Sequence, residues 1–258
     1  GKDALRNNTG GYNIAVGTNA LYENTYGRDN MAIGANSLQN NTTGSDNIAM
    51  GNSSLISNTT GNSNISLGTN SLRHNTTGNN NIGMGASSLA SNTIGESNIG
   101  MGPGALYSNQ SGSNNIGMGT HALRLNTTGK DNIAMGTTAL FSNTTGINNI
   151  AIGNSALRNA GAGSVGNIAI GNSALMAGGS GIAIGNALGS NVFNILAILG
   201  ITGVITPMTL NGITVTDLSM LVISIMLVWL FSFTKYKIER WEGAVLTAVF
   251  VGYIYSLL

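Results

Sequence analysis

Over its first 185 residues the chain repeats one short apolar motif, with a strict period up to Gly153, and the motif is not helical. Large aliphatic residues flank a small one, as in Ile48-Ala49-Met50 or Ile133-Ala134-Met135, and a glycine closes the group. That closing glycine recurs every 17 residues from Gly17 and Gly34 to Gly136 and Gly153. A second glycine series runs from Gly10 and Gly27 to Gly146, and a leucine series from Leu21 and Leu38 to Leu157. An alternation with period two predicts a short strand whose first and third side chains share a face. The Asn-Thr-Thr-Gly runs between the strands are turn chemistry. Each 17-residue unit therefore reads as a strand, a turn, a brief second segment and another turn.

Such units are expected to stack as coils of an all-β solenoid, a β-roll over residues 1–185, with neighbouring strands about 4.8 Å apart. Nine coils would stand roughly 43 Å tall at that rise. An asparagine series with the same period then forms a structural ladder: Asn47, Asn64, Asn81, Asn98, Asn115, Asn132 and Asn149. Each amide can pass a hydrogen bond to the next along such a stack. Ile, Met and Leu, with small alanines, are expected to fill the interior. Three such side chains per coil make a thin core, so the apolar stripe is predicted to be shared among three copies around a common axis, as a homotrimer.

The repeat, in stretches such as Asn132-Ile133-Ala134-Met135-Gly136 and Ala139-Leu140, resembles the head repeats of trimeric autotransporter adhesins. It is similar also to Asn-Thr-Thr-Gly-rich arrays of phage tail-fibre-like proteins. Near its end the spacing drifts, from Gly153 to Gly171 and then Gly185, towards the shorter adhesin-head repeat. This resemblance implies a trimeric fibre or adhesive head that presents a repetitive Asn/Thr-rich surface to a host or cell-surface ligand, outside the cell. No chaperone domain follows the array.

Beyond residue 185 the character changes. Residues 186–258 hold three apolar stretches, 188–206, 217–234 and 241–258, each near the length of a short transmembrane helix. They read as three membrane helices that anchor the chain. Gly189-Ser190-Asn191-Val192-Phe193-Asn194, followed by Ile195-Leu196-Ala197-Ile198-Leu199-Gly200, resembles the second half of the C-terminal α-repeat of the cation/calcium exchanger superfamily. Ile238-Glu239-Arg240-Trp241-Glu242-Gly243 and the stretch after it resemble that family's last transmembrane segment. The resemblance implies that Ser190, Asn191 and Asn194 help line a sodium or calcium site; their alternative role is to cap and pack a polar helix start. A calcium site wants six to eight oxygens including carboxylates. The first α-repeat and the acidic half of the second are missing, so transport by this chain alone is not expected. The join at Ile182-Ala183-Ile184-Gly185-Asn186 suits both families. The chain thus reads as a chimera, whether natural fusion, assembly error or constructed sequence, or as an exchanger fragment. Its start at Gly1 without a signal peptide reads as a processed chain or a fragment. Lys235, Lys237 and Arg240 between the second and third stretches would hold that loop in the cytoplasm. Three spans would then put the repeats inside as well, against the adhesin reading.

Composition narrows the chemistry. Only 7% of residues are charged, 5% are aromatic, cysteine is absent and the net charge is +1. Nucleic acid is not an expected partner, and thiolate metal sites are excluded. No Ser-His-Asp set recurs, so an enzyme is not expected, and no cofactor is implied beyond the calcium or sodium of the exchanger resemblance. His74 and His121 read as solvated turn residues. Asp29, Asp46 and Asp131 each precede a ladder-type asparagine and leave a sparse calcium-binding pattern open. Sequons such as Asn41-Thr42-Thr43 suit glycosylation but are also required by the repeat. The run Gly161-Ala162-Gly163-Ser164-Val165-Gly166 lacks the ending of a phosphate loop and reads as turns. Ice binding by ranks of threonine is a further alternative.

Overall fold

The computed structural model describes residues 1–176 together with the backbone of one further strand, Ile182–Ile184. The solenoid expected from the period is present. Eleven three-residue strands follow one another: β1 (Ile14–Val16), β2 (Met31–Ile33), β3 (Ile48–Met50), β4 (Ile65–Leu67), β5 (Ile82–Met84), β6 (Ile99–Met101), β7 (Ile116–Met118), β8 (Ile133–Met135), β9 (Ile150–Ile152), β10 (Ile168–Ile170) and β11 (Ile182–Ile184). They form a single parallel sheet in chain order. Pairing is strictly in register, so Ile48 faces Ile65 and Met50 faces Leu67, and the later drift in spacing does not shift it: Ile150 pairs with Ile168 and Ile168 with Ile182. The described coils belong to one compact unit. The domain division at residue 185 and the three apolar stretches beyond it lie outside the described residues. No helix among the described residues is long and apolar enough to cross a membrane.

Every side of the coil bonds to its neighbours. On the strand, Ile48 N–H donates to Asn64 O at 2.8 Å and Gly51 N–H to Ile33 O at 2.8 Å. In the second segment Leu55 N–H donates to Ser71 O at 3.1 Å. At the Asn-Thr-Thr-Gly turn the Thr59 carbonyl accepts from the N–H groups of Thr42, Thr43 and Gly44 at 3.0, 3.1 and 3.3 Å, and from the Thr42 hydroxyl at 2.9 Å. The turn residues are therefore held by the next coil, through their backbone N–H groups and, at Thr42, through the hydroxyl as well.

Two glycines per coil are dictated by this stacking. Gly51 has φ +139°, a conformation that strains any residue with a Cβ. Gly44 has no such φ, but a Cβ built there would collide with the Gly61 carbonyl of the next coil and with Asn41 Oδ1. The leucines sit in the left-handed region as well, Leu55 at φ 49° and Leu89 at φ 51°. A bulky residue adopts that backbone only when its surroundings enforce it, and here burial of the leucine side chain does so.

One expectation is corrected. Ile48 and Met50 do share a face, yet that face points outward. Ala49 between them is 0% exposed, while Met50 is 41% exposed. The interior holds the leucines, the strand-centre alanines, the alanine or serine before each leucine, and amides. The reason is room. A Cβ built on strand-centre Gly83 would lie 2.5 Å from Ser71 Oγ and 3.3 Å from Leu72 Cγ, so nothing much larger than a methyl fits opposite the leucine and the small residue before it.

Candidate interaction surface

The outward strand face carries two parallel ranks. One begins Ile14, Met31, Ile48 and Ile65, and the other Val16, Ile33, Met50 and Leu67. Ile14 and Val16 are 50% and 56% exposed, and Met135, Ile152 and Ile170 are also exposed. From β1 to β10 the stripe is about 43 Å long and about 10 Å wide at strand spacings. That is roughly 400 Å² of flat, aliphatic surface, as large as the largest patch a typical monomer shows. It holds no charge and can bury only against another apolar surface.

The predicted ladder asparagines lie inside, on the corner that leads into the strand. Asn47, Asn64, Asn81, Asn98, Asn115, Asn132 and Asn149 are all 0% exposed. Asn64 Nδ2 donates to Asn47 Oδ1 at 3.1 Å and to the Gly78 carbonyl at 2.9 Å, while Asn64 N–H also donates to Asn47 Oδ1 at 3.0 Å. The same three bonds recur around Asn98 and Asn115. A second ladder, not anticipated from the sequence, runs through the asparagine that opens each turn: Asn24, Asn41, Asn58, Asn75, Asn92, Asn109, Asn126 and Asn143. Asn58 Nδ2 donates to Asn41 Oδ1 at 2.8 Å and to Gly61 O at 2.9 Å. Its signal was the same 17-residue spacing, hidden by reading Asn-Thr-Thr-Gly as generic turn chemistry. The sequon amides Asn41, Asn58 and Asn75 are these buried, doubly bonded groups, so the structural reading of the sequons holds for them.

The second ladder stops early. Ala160 occupies the position that would continue it, and Asn143 Oδ1 is buried with no hydrogen-bond partner. Within the same coil Asn149 Nδ2 bonds the Ser164 carbonyl at 2.8 Å in place of a glycine carbonyl, so the predicted strand-side ladder survives the extra residue. Gly161 to Gly166 form this irregular turn.

The remaining candidates separate. Asp29, Asp46 and Asp131 have φ 55°, 60° and 57°, a left-handed conformation that Asp and Asn tolerate better than most residues. Ser63, Asn80 and Asn114 take the same position in other coils, which accounts for the aspartates without a cation. No group of three or more His, Asp or Glu gathers for a metal among the described residues. His74 is an exposed turn residue; His121, at φ 58°, makes a T-shaped contact with the Phe141 ring, the centroids 6.5 Å apart. Threonine hydroxyls such as those of Thr42 and Thr59 are engaged between coils, leaving Thr43 and Thr60 as the exposed rank. Ser190, Asn191 and Asn194 lie outside the described residues.

A further rank, also missed from the sequence, is formed where aromatic residues and arginines follow buried leucines. Arg124 lies over the Tyr107 ring at 5.3 Å and Arg158 over the Phe141 ring at 5.6 Å, each from one coil to the preceding one. Arg6 and Tyr22 make the same contact at 5.6 Å with the order reversed.

Comparison with known proteins adds a family. The profile described as "Sodium/calcium exchanger protein" matches residues 129–258, a span that includes the last described coils. The chain is 37% identical over 76 residues to "Sodium/calcium exchanger MaX1" of Methanosarcina acetivorans, covering 29% of this chain and 22% of that protein. It is 35% identical over 79 residues to "Putative antiporter CaxA" of Alkalimonas amylolytica, covering 29% of this chain and 25% of that protein. The matched stretch thus spans about a quarter of the length of these curated relatives. No solved structure matches.

Proposed function

The chain belongs to the sodium/calcium exchanger protein family, matched over residues 129–258, and on that premise we propose a structural role for it. It is a self-assembling β-solenoid head or fibre, held at a membrane by its exchanger-like segment, that presents a repetitive surface to a host or cell-surface ligand. The observation that carries this reading is the uncharged aliphatic stripe running the length of the sheet. A coil filled by one leucine and small residues has no interior room for Ile and Met. Three copies packing their stripes on a common axis would bury both ranks and supply the core that one coil lacks.

Native mass spectrometry of the full chain in detergent tests this. The expected species is a trimer, and Met84→Lys with Met101→Lys should reduce it to monomer. A monomeric parent chain would refute the assembly.

The family match favours a second reading, in which the chain is part of a cation exchanger. The relatives' names designate sodium/calcium exchange and antiport, and Ser190, Asn191 and Asn194 would then contribute to a cation site. Calcium uptake into sodium-loaded proteoliposomes containing this chain alone would establish transport. The structural reading predicts no uptake.

A further inference from the structure

We propose that the rank Tyr107, Arg124, Phe141 and Arg158 is a binding surface for an acidic glycan that carries one carboxylate per disaccharide. The inference deepens the surface-presenting role above and rests on it. Among the described residues the one ion pair is that of Arg6 with Asp3, at 3.6 Å. Arg124 and Arg158 therefore have no carboxylate partner. Between residues 97 and 176 the only acidic residue is Asp131, which stands in the turn before β8 and accepts from Asn114 at 3.0 Å. Nothing on this rank neutralises the guanidinium groups.

Each guanidinium lies over an aromatic ring of the preceding coil. The cation–π contact restrains each guanidinium beside its ring, and its N–H donors, without a carboxylate partner among the described residues, can grip a carboxylate in a two-pronged bond. The rings are themselves accessible, Tyr107 being 38% exposed, and can take the apolar face of a sugar. His121 makes a T-shaped contact with Phe141 and adds a donor beside the second pair. The ring–guanidinium unit occurs twice on this rank, two coils or about 9.6 Å apart at strand spacing. That is the scale of one disaccharide step in an extended β-linked chain, so successive carboxylates would meet Arg124 and then Arg158. A net charge of +1 favours a sparsely charged glycan over nucleic acid, whose binding draws on many basic contacts.

The test uses the full chain in detergent and a hyaluronan octasaccharide, short enough to engage one rank of one copy. Isothermal titration should show saturable binding, lost with the carboxyl-reduced octasaccharide and weakened about tenfold or more in Arg124→Gln/Arg158→Gln, with smaller loss in Arg124→Lys/Arg158→Lys. An unchanged thermal unfolding midpoint in the exposed Gln variant excludes misfolding as the cause. Absence of saturable binding, or equal affinity in the Gln variant, overturns the proposal. So does equally tight binding of a single-stranded dT10 oligonucleotide with the same sensitivity to the variant, which would mark a general polyanion surface. Native mass spectra of the same samples report assembly separately, so a monomer that binds the octasaccharide would refute the trimer and leave this site standing.

Discussion

Asn47 and Met50 stand three residues apart in one coil and meet opposite fates. The amide is 0% exposed and the thioether is 41% exposed. Along the whole array an amide rank is sealed in and an aliphatic rank is turned out. A single buried amide costs free energy unless it is bonded, but a stack of identical amides supplies each member with its donor and acceptor. An aliphatic side chain gains nothing from its neighbour that a second protein surface could not supply as well. Repetition thus makes the polar interior stable and leaves the apolar face free for assembly.

The contrast can be broken most forcefully from the inside. Asn98→Leu removes the acceptor of Asn115 N–H and Asn115 Nδ2 and the donor to the Gly112 carbonyl. Each orphaned buried group costs about 1–3 kcal/mol, so the unfolding free energy from urea titration followed by circular dichroism should fall by about 4 kcal/mol. A change below 1 kcal/mol would mean the ladder is dispensable. Next in size is Leu89→Ala, expected to cost about 3 kcal/mol in the same titration; a small loss would show that the narrow interior collapses to fill the space.

Two substitutions sharpen the comparison with smaller effects. Ala160→Asn restores the missing member of the second ladder and offers Asn143 Oδ1 a donor. It should stabilise the chain by about 1 kcal/mol, visible as a raised thermal midpoint. A lowered midpoint would show that the irregular turn at 161–166 has moved out of reach of the ladder. Met118→Asp on the outward face should change the stability of the isolated coil stack by no more than about 0.5 kcal/mol. Its effect should appear in mass, as loss of the assembly. Destabilisation of a demonstrated monomer by several kcal/mol would mean that the outer rank supports the coil itself.

Much of this was legible from residue spacing. Gly17 to Gly153 marks the coil, Ile48-Ala49-Met50 marks the strand, and Asn47 to Asn149 marks a ladder whose bonds are as the spacing suggested. The second ladder and the Tyr107–Arg124–Phe141–Arg158 rank share that spacing. Both were overlooked because turn asparagines and scattered surface arginines are common enough to need no explanation singly. The likeness of residues 189–200 to an exchanger repeat was legible as well and agrees with the family match.

The sequence by itself determined the period, the strand positions, the register and the break in regularity after Gly153, because each depends only on which residues recur and how far apart. Tertiary structure alone decided which side of the strand is the inside. Alternation defines two faces without orienting them, and the usual rule that large apolar side chains go inward fails where a leucine already fills the cross-section. With room left for little more than a methyl at Ala49 and for amides that bond along the stack, Ile48 and Met50 have only the outside to occupy.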